Sequence, residues 1–154
     1  MGDAGVLVQD GRLAADLVAT LEPQLQDALN HPTRRDILRV LQGAERPRSI
    51  TDIVAALPQL SRGEISYHTQ VLEDSGCVCV DGTRRCPGGH ERLLRSAVTD
   101  SGQALLVLGA TERSDREHRR RAAAEPFSSQ LTMFRVPRPG RTVRLLGRRR
   151  RQAH

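Results

Sequence analysis

Two helix-capping patterns divide the middle of the chain into separate helices. Ser49 is followed three residues later by Asp52, and Ser61 is followed three residues later by Glu64. In such a capping box the serine hydroxyl and the acidic side chain satisfy backbone N–H groups at a helix start. The first helix has to end before the second begins, and Pro58 provides that stop. The pattern therefore predicts a short helix, a tight turn and a longer helix.

Helical periodicity also extends upstream of this pair. Apolar residues recur at helical spacing from about Arg12 to Leu29, with Pro23 as a break or restart. Pro32 suits the first turn of a further helix that ends near Gly43. Aromatic residues make up only 2% of the chain, so the core has to be built from Leu, Val, Ile and Ala. This composition favours helices packed on helices.

Downstream of Gly76, which suits a left-handed helix cap, the periodicity changes. The sequence CVCV at 77–80 favours a β-strand, and residues 90–98 can return as a second strand. Asp-Gly at 81–82 and Pro-Gly-Gly at 87–89 are turn signals. A helix-turn-helix followed directly by a hairpin predicts a winged helix-turn-helix, mainly α with a small β-hairpin wing.

The distribution of charge separates this domain from its flanks. Residues 1–111 hold 11 Arg and 14 acidic residues, whereas residues 112–154 hold 13 Arg and four acidic residues. We expect a flexible N-terminus over 1–11, the winged domain with flanking helices over 12–124, and a disordered Arg- and Pro-rich tail over 125–154. Because the basic excess belongs to the tail, the domain has to recognise a partner through a few residues.

The longer helix, residues 61–75, has two different faces. Ile65, Thr69 and Leu72 line the face expected in the core, and His68 lies on its edge as a half-buried, hydrogen-bonded structural residue. The second face is polar and carries the only Phe, Trp or Tyr in the first 126 residues. Its members are Arg62, Gly63, Ser66, Tyr67 and Gln70. Such donors, acceptors and a ring can contact bases and phosphates. An ordinary solvated face accounts for the arginine and the glutamine but less well for the tyrosine.

Residues 28–76 resemble the arsenic-repressor (ArsR-like) family of winged helix-turn-helix transcription regulators. The matching pieces are Ala28-Leu29-Asn30-His31-Pro32 with Arg34-Arg35 and Ile37-Leu38, then Ser66-Tyr67-His68, Val71-Leu72-Glu73 and Gly76. The return strand at 89–95 is similar to the family's wing. The resemblance implies a homodimer joined through the first and last helices of the domain. It also implies binding to an inverted-repeat operator in double-stranded DNA and repression of transcription.

By matching position, the resemblance makes 61–75 the recognition helix. Arg62, Ser66, Tyr67 and Gln70 then become DNA contacts, and Arg84 and Arg85 on the wing become phosphate or minor-groove contacts. Metal-sensing members carry a Cys-x-x-Asp-type motif on the preceding helix, but the corresponding helix here has neither Cys nor His. The family's metal sites are therefore not carried over, and we expect no cofactor.

The three cysteines leave one alternative open. Cys77 and Cys79 would project from one face of a strand, and Cys86 and His90 could lie nearby across the hairpin. Three thiols and an imidazole can bind zinc. Their spacing is not a recognisable zinc pattern, and the other interpretation is that the first two are small strand hydrophobes. We assign no metal site.

Other function classes fit the sequence less well. It has no glycine-rich phosphate loop, no evident carboxylate pair and no cysteine or histidine with a spaced base, so we expect no enzyme. It also has neither a signal peptide nor an apolar run of the about 20 residues that span a bilayer, and we expect a cytoplasmic protein with no membrane partner. The alternative is an RNA- or ribosome-associated protein that uses the Arg-rich tail, with the winged domain as a protein-interaction module.

Overall fold

The computed structural model describes residues 7–124, which form six helices and two small antiparallel sheets. In chain order the elements are β1 (Val8–Gln9), β2 (Arg12–Leu13), α1 (Ala15–Thr20), α2 (Pro23–Leu29), α3 (Pro32–Gln42), α4 (Ile50–Ala56), α5 (Arg62–Asp74), β3 (Val78–Cys86), β4 (Gly89–Ser96) and α6 (Gly102–Ala124). The predicted tail at 125–154 and the first six residues lie outside the described part. None of the described helices is both long and apolar enough to cross a membrane.

Both predicted capping boxes are present. The Ser49 hydroxyl accepts a hydrogen bond from the Asp52 backbone N–H at 3.2 Å, and the Asp52 carboxylate accepts one from the Ser49 N–H at 3.0 Å. Ser61 and Glu64 make the same reciprocal pair at 3.2 and 2.9 Å. Gly76 follows α5 with a φ of +78°, the left-handed conformation that glycine adopts without strain. These local bonds set where α4 and α5 begin and where α5 ends.

A short N-terminal hairpin was not predicted for residues 1–11. β1 pairs with β2 through Val8–Leu13 and Gln9–Arg12, which leaves Asp10 and Gly11 as a two-residue turn. Both turn residues have positive φ, as a type I′ hairpin turn requires. The helical stretch predicted from Arg12 therefore starts only at Ala15.

The wing is a longer hairpin than the sequence predicted. Asp81 and Gly82 do not form a turn, because β3 continues to residue 86 and the chain reverses at Pro87–Gly88. The register moves from Val80–Leu94 to Thr83–Arg92, so two residues of β3 face one residue of β4. This is a β-bulge, which bends a strand and increases its twist.

The core is formed by the helices α2 to α6 and is closed by the base of the wing. Ile37 and Leu38 of α3 and Ile65 and Leu72 of α5 are completely buried, as is Leu94 of β4. The backbone of Leu94 also exchanges two hydrogen bonds with Arg48, at 2.9 and 2.7 Å, which adds a one-residue bridge to the wing sheet. The mainly α fold with a two-stranded hairpin confirms the predicted winged helix-turn-helix class.

One buried hydroxyl on α5 leads to a stability prediction. Thr69 is 1% exposed, and its hydroxyl oxygen has no hydrogen-bond partner within residues 7–124. Thr69→Val keeps the shape and removes the unpaired polar group, so we expect the free energy of unfolding to rise by about 1 kcal/mol in chemical denaturation.

Thr111 provides the matched control for this variant. It is equally buried, but its hydroxyl donates to the Val107 carbonyl at 2.6 Å and accepts from Arg39 at 2.8 Å. Thr111→Val should therefore lower stability by about 1–3 kcal/mol, since it leaves these partners unsatisfied. A loss of similar size in Thr69→Val would contradict the prediction.

Candidate nucleic-acid interface

Helix α5 presents one buried face and one exposed polar face. Ile65 and Leu72 are fully buried and Thr69 nearly so, which confirms the predicted core row. The five residues of the second row are all exposed, and Tyr67 is 63% exposed. Exposure of the one Tyr of the domain, which has no Phe or Trp, is a costly use of apolar area unless the ring meets a partner.

The polar row differs in how far its side chains are already engaged. Gln70 donates from its amide to the Asp74 carboxylate one turn later at 2.9 Å. Arg62 donates to the Thr51 hydroxyl on α4 at 3.2 Å. Ser66 and Tyr67 have no side-chain hydrogen-bond partner within the part of the chain that the structure describes. The centre of this face is therefore open to a ligand, whereas both its ends are tied to the domain.

His68 lies at the edge of the buried face, and its Nδ1 accepts a hydrogen bond from Arg34 Nε at 3.3 Å. This confirms the half-buried, hydrogen-bonded structural role expected from the sequence. The His68 ring packs against the His31 ring at 4.3 Å between centroids. The Tyr67 ring stands edge-on to the His68 ring at 5.1 Å between centroids. Burial and then the Arg34 charge lower the pKa of His68. The histidine pair thus supports Tyr67 from the domain side.

The two wing arginines have different surroundings. Arg84 faces the helices, where its guanidinium contacts Ser49, Asp52 and Glu91. Arg85 is exposed and has no ion pair within residues 7–124. The strand pairing sets Arg85 opposite His90, one residue from the reversal of the hairpin. The sequence predicted the same role for both arginines. It could not separate them, because the partners that engage Arg84 lie 7 to 35 positions away in the chain.

The cysteines do not form one cluster. Cys77 lies at the base of the wing, where its thiol is buried and contacts the Gln24 carbonyl at 3.6 Å. Cys79 pairs with Arg95 near that base, whereas Cys86 pairs with Gly89 at the reversal. Burial raises the pKa of the Cys77 thiol, which disfavours the thiolate that binds metals. Among the described residues, no group of three or more His, Cys, Asp or Glu is placed to hold a metal ion.

Comparison with known proteins identifies the central segment. Residues 29–78 match a family described as a helix-turn-helix domain, which includes arsenic-repressor-type regulators. The match covers α3, α4 and α5, the helices that carry the exposed polar row. No curated protein matches the chain. Fold and match together define a winged helix-turn-helix protein, and this domain indicates a DNA-binding regulator of transcription.

Proposed function

We propose that this protein is an ArsR-like transcription regulator that binds an inverted-repeat operator as a homodimer and represses transcription there. The exposed polar row on α5 is the observation that carries the proposal. A helix with one row buried in the core and an open opposite row is suited to entering a major groove. The hydrogen bonds of Arg62 and Gln70 at the two ends of that row hold these side chains in place before the protein binds DNA.

The proposed contacts follow from the chemistry of each side chain. Gln70 and Ser66 present donors and acceptors to base edges, and Tyr67 supplies a ring and a hydroxyl. Arg62 at the start of α5 and Arg85 on the wing are placed to contact phosphates or the minor groove. The backbone at Gly63, which lies in the first turn of α5 without a side chain, lets a phosphate approach closely.

Exposed leucines on α6 support the dimer. Leu105 is 48% exposed and Leu106 is 75% exposed, although both lie within a 23-residue helix that packs its other face on α2 and α3. Adjacent large apolar side chains on such a helix indicate a surface for another chain. A second copy is the partner that a two-fold operator requires, because each copy then reads one half-site.

Selection of bound fragments from random double-stranded DNA by the purified protein tests the proposal directly. We expect enrichment of an inverted repeat whose half-sites lie about one helical turn apart. Enrichment of a single half-site would argue against the dimer, and absence of any enriched sequence would overturn the proposal.

The face of α5 can be tested on the selected operator. Tyr67→Ala and Gln70→Ala should each weaken operator binding by about tenfold, since a good base contact is worth about 1–3 kcal/mol. Binding to unrelated DNA should change little, because phosphate contacts supply most of that affinity. Titration of both DNAs with the wild type and both variants measures the difference.

A control variant outside this face is Glu45→Ala in the segment between α3 and α4, where the carboxylate is exposed and has no ion pair within residues 7–124. It should bind the operator like the wild type. If Tyr67→Ala and Gln70→Ala also bind like the wild type, α5 is not the reading helix.

A further inference from the structure

Arg84 is held by three side chains from two other parts of the domain. Its Nη2 lies 2.8 Å from the Glu91 carboxylate on β4, 3.2 Å from the Asp52 carboxylate on α4 and 3.0 Å from the Ser49 hydroxyl. Arg84 and Glu91 are direct cross-strand partners in the hairpin. Their ion pair therefore joins the two wing strands and also ties them to the start of α4.

Thr51 extends this connection to α5. Its hydroxyl donates to the second oxygen of Glu91 and accepts from Arg62 at 3.2 Å. Arg62 is the first residue of α5. A continuous chain of contacts thus runs from the wing through α4 to the start of α5. We call this network of contacts the wing latch. Its members are Arg84, Glu91, Asp52, Ser49, Thr51 and Arg62.

Within residues 7–124, the outer half of the wing has one other charged tie to the helices, the ion pair between Arg92 of β4 and Glu73 of α5. Beyond the bulge at Asp81 and Gly82, residues 83–85 are exposed, and the described core ends at the base of the hairpin. An isolated two-stranded hairpin is only marginally stable in water. The latch therefore ties this part of the wing to α4, while Arg92 ties it to α5.

The charge balance of the latch opposes release of Arg84. One guanidinium serves two carboxylates, and the side chains of Glu91 and Asp52 are only 18% and 25% exposed. The hydrogen bonds from Thr51 and then from Arg84 lower the pKa of Glu91, so its carboxylate stays ionised. If Arg84 moved to a DNA phosphate, the carboxylates of Glu91 and Asp52 would both lose their cation. They would then face the negative charge of the DNA without a counter-charge.

We propose that Arg84 is a positioning residue, which together with Glu91 and Thr51 locks the wing to α4 and α5 and does not itself contact phosphate. The wing and the recognition helix then meet DNA as one preformed surface. This inference rests on the proposed function for its DNA readout and assigns the wing's phosphate contact to Arg85.

The sign of the effect of Glu91→Gln on operator affinity tests the proposal. If Arg84 positions the wing, Glu91→Gln and Arg84→Gln both break the latch, and each should weaken operator binding by about tenfold, the size of coupling between residues in one network. If Arg84 instead contacts phosphate, removal of a competing carboxylate should strengthen binding. In that case Arg84→Gln should also lower the slope of log affinity against log salt by about one. That pair of results would overturn the proposal.

Asp81→Asn is the matched control. It removes one negative charge from the same hairpin, but within residues 7–124 the Asp81 carboxylate pairs only with Arg95, at 2.7 Å, and has no hydrogen bond or ion pair to α4. Operator binding by this variant should stay equal to or slightly stronger than that of the wild type. Weakening equal to that of Glu91→Gln would mean that any charge change on the hairpin matters, and would contradict a specific latch.

Amide hydrogen exchange in the DNA-free protein provides a second readout that needs no operator. In Glu91→Gln and Arg84→Gln, amides of residues 83–92 should exchange about tenfold faster, whereas those of α3 should be unchanged. Unchanged exchange in the wing would overturn the latch. Faster exchange combined with failure of the wild type to select any operator would instead reject the proposed function and leave the latch in place.

Discussion

Replacement of Asp115 by alanine is expected to lower the free energy of unfolding by about 3–5 kcal/mol, because it leaves a buried guanidinium without its counter-charge. Arg35 is completely buried, and its Nε and Nη2 donate to the two carboxylate oxygens of Asp115 at 2.7 and 2.6 Å. The remaining donors of Arg35 reach the carbonyls of Leu29 at 2.6 Å and Gly11 at 2.8 Å. Every partner of this cation is therefore fixed inside the fold.

The same carboxylate is shared with a second arginine. Arg39 Nη1 lies 2.8 Å from Asp115 and also contacts Asp36. Burial by itself raises the pKa of Asp115, but the hydrogen bonds and charges of Arg35 and Arg39 outweigh it and leave the pKa below its usual value. The stabilising contribution of Asp115 is thus present above the carboxyl's ordinary pKa and is lost as the pH falls through its lowered folded value.

Chemical denaturation followed by circular dichroism measures this loss, since the described domain has one tyrosine and no tryptophan for fluorescence. Glu117→Ala, two residues further along α6 but on its exposed side, is the control, because within residues 7–124 Glu117 pairs only with the exposed Arg121. It should change stability by less than about 0.5 kcal/mol. If Asp115→Ala behaves like this control, the ion pair does not connect α3 to α6 as described.

His31 is the second site with a large expected effect, here on the pH dependence of stability. It caps α3, where its Nδ1 accepts a hydrogen bond from the Thr33 N–H at 3.2 Å. Burial and then the charge of His68 lower its pKa from 6.5 to about 4, with Arg34, Arg35 and Arg12 adding to the effect. Protonation removes the acceptor that caps the helix and places a charge among these cations.

The direction of this pH effect follows from the lowered pKa of His31 in the folded protein. Between pH 6.5 and about 4 the unfolded chain binds more protons at this residue than the folded chain does. The stabilising contribution is therefore complete above pH 6.5 and is lost as the pH falls toward 4. We expect this loss to reach about 2 kcal/mol, allowing for the partial exposure of the ring.

His31→Asn isolates this contribution. Asparagine is a good N-cap and keeps the side-chain acceptor for the helix, but it does not titrate in this range. The wild type should lose about 2 kcal/mol more stability than the variant between pH 7 and pH 4, measured by denaturation at each pH. Parallel pH profiles for the two proteins would show that His31 titrates in the fold as it does in the unfolded chain.

Much of the helix-turn-helix could be predicted from local sequence. The capping boxes at Ser49 and Ser61 involve residues three positions apart, and the left-handed glycine at 76 depends on its own backbone. The buried row of α5 follows from helical periodicity, and the structure confirms it. These features hold in almost any tertiary context, because the groups that make them are neighbours in the chain.

The two Asp-Gly pairs show where local reasoning stops. The pair at 10–11 forms a hairpin turn, whereas the pair at 81–82 forms a bulge inside β3. Both glycines have positive φ, but of the two aspartates only Asp10 does, so the same dipeptide adopts a different backbone in each place. The difference lies in the partner strand: β4 continues to pair with β3 beyond the second site, and the reversal moves to Pro87–Gly88.

In the candidate site, too, some features follow from local sequence and others depend on tertiary packing. The sequence alone determined which residues share the polar row of α5, because a helix places them at a fixed angular spacing. Only the tertiary structure decided that Arg84 faces Asp52 and Glu91 while Arg85 faces outward, and that Arg35 meets Asp115 across 80 positions. Ion pairs between distant residues depend on how whole elements pack, because packing sets both the distance between the two charges and the burial that determines how strongly they interact.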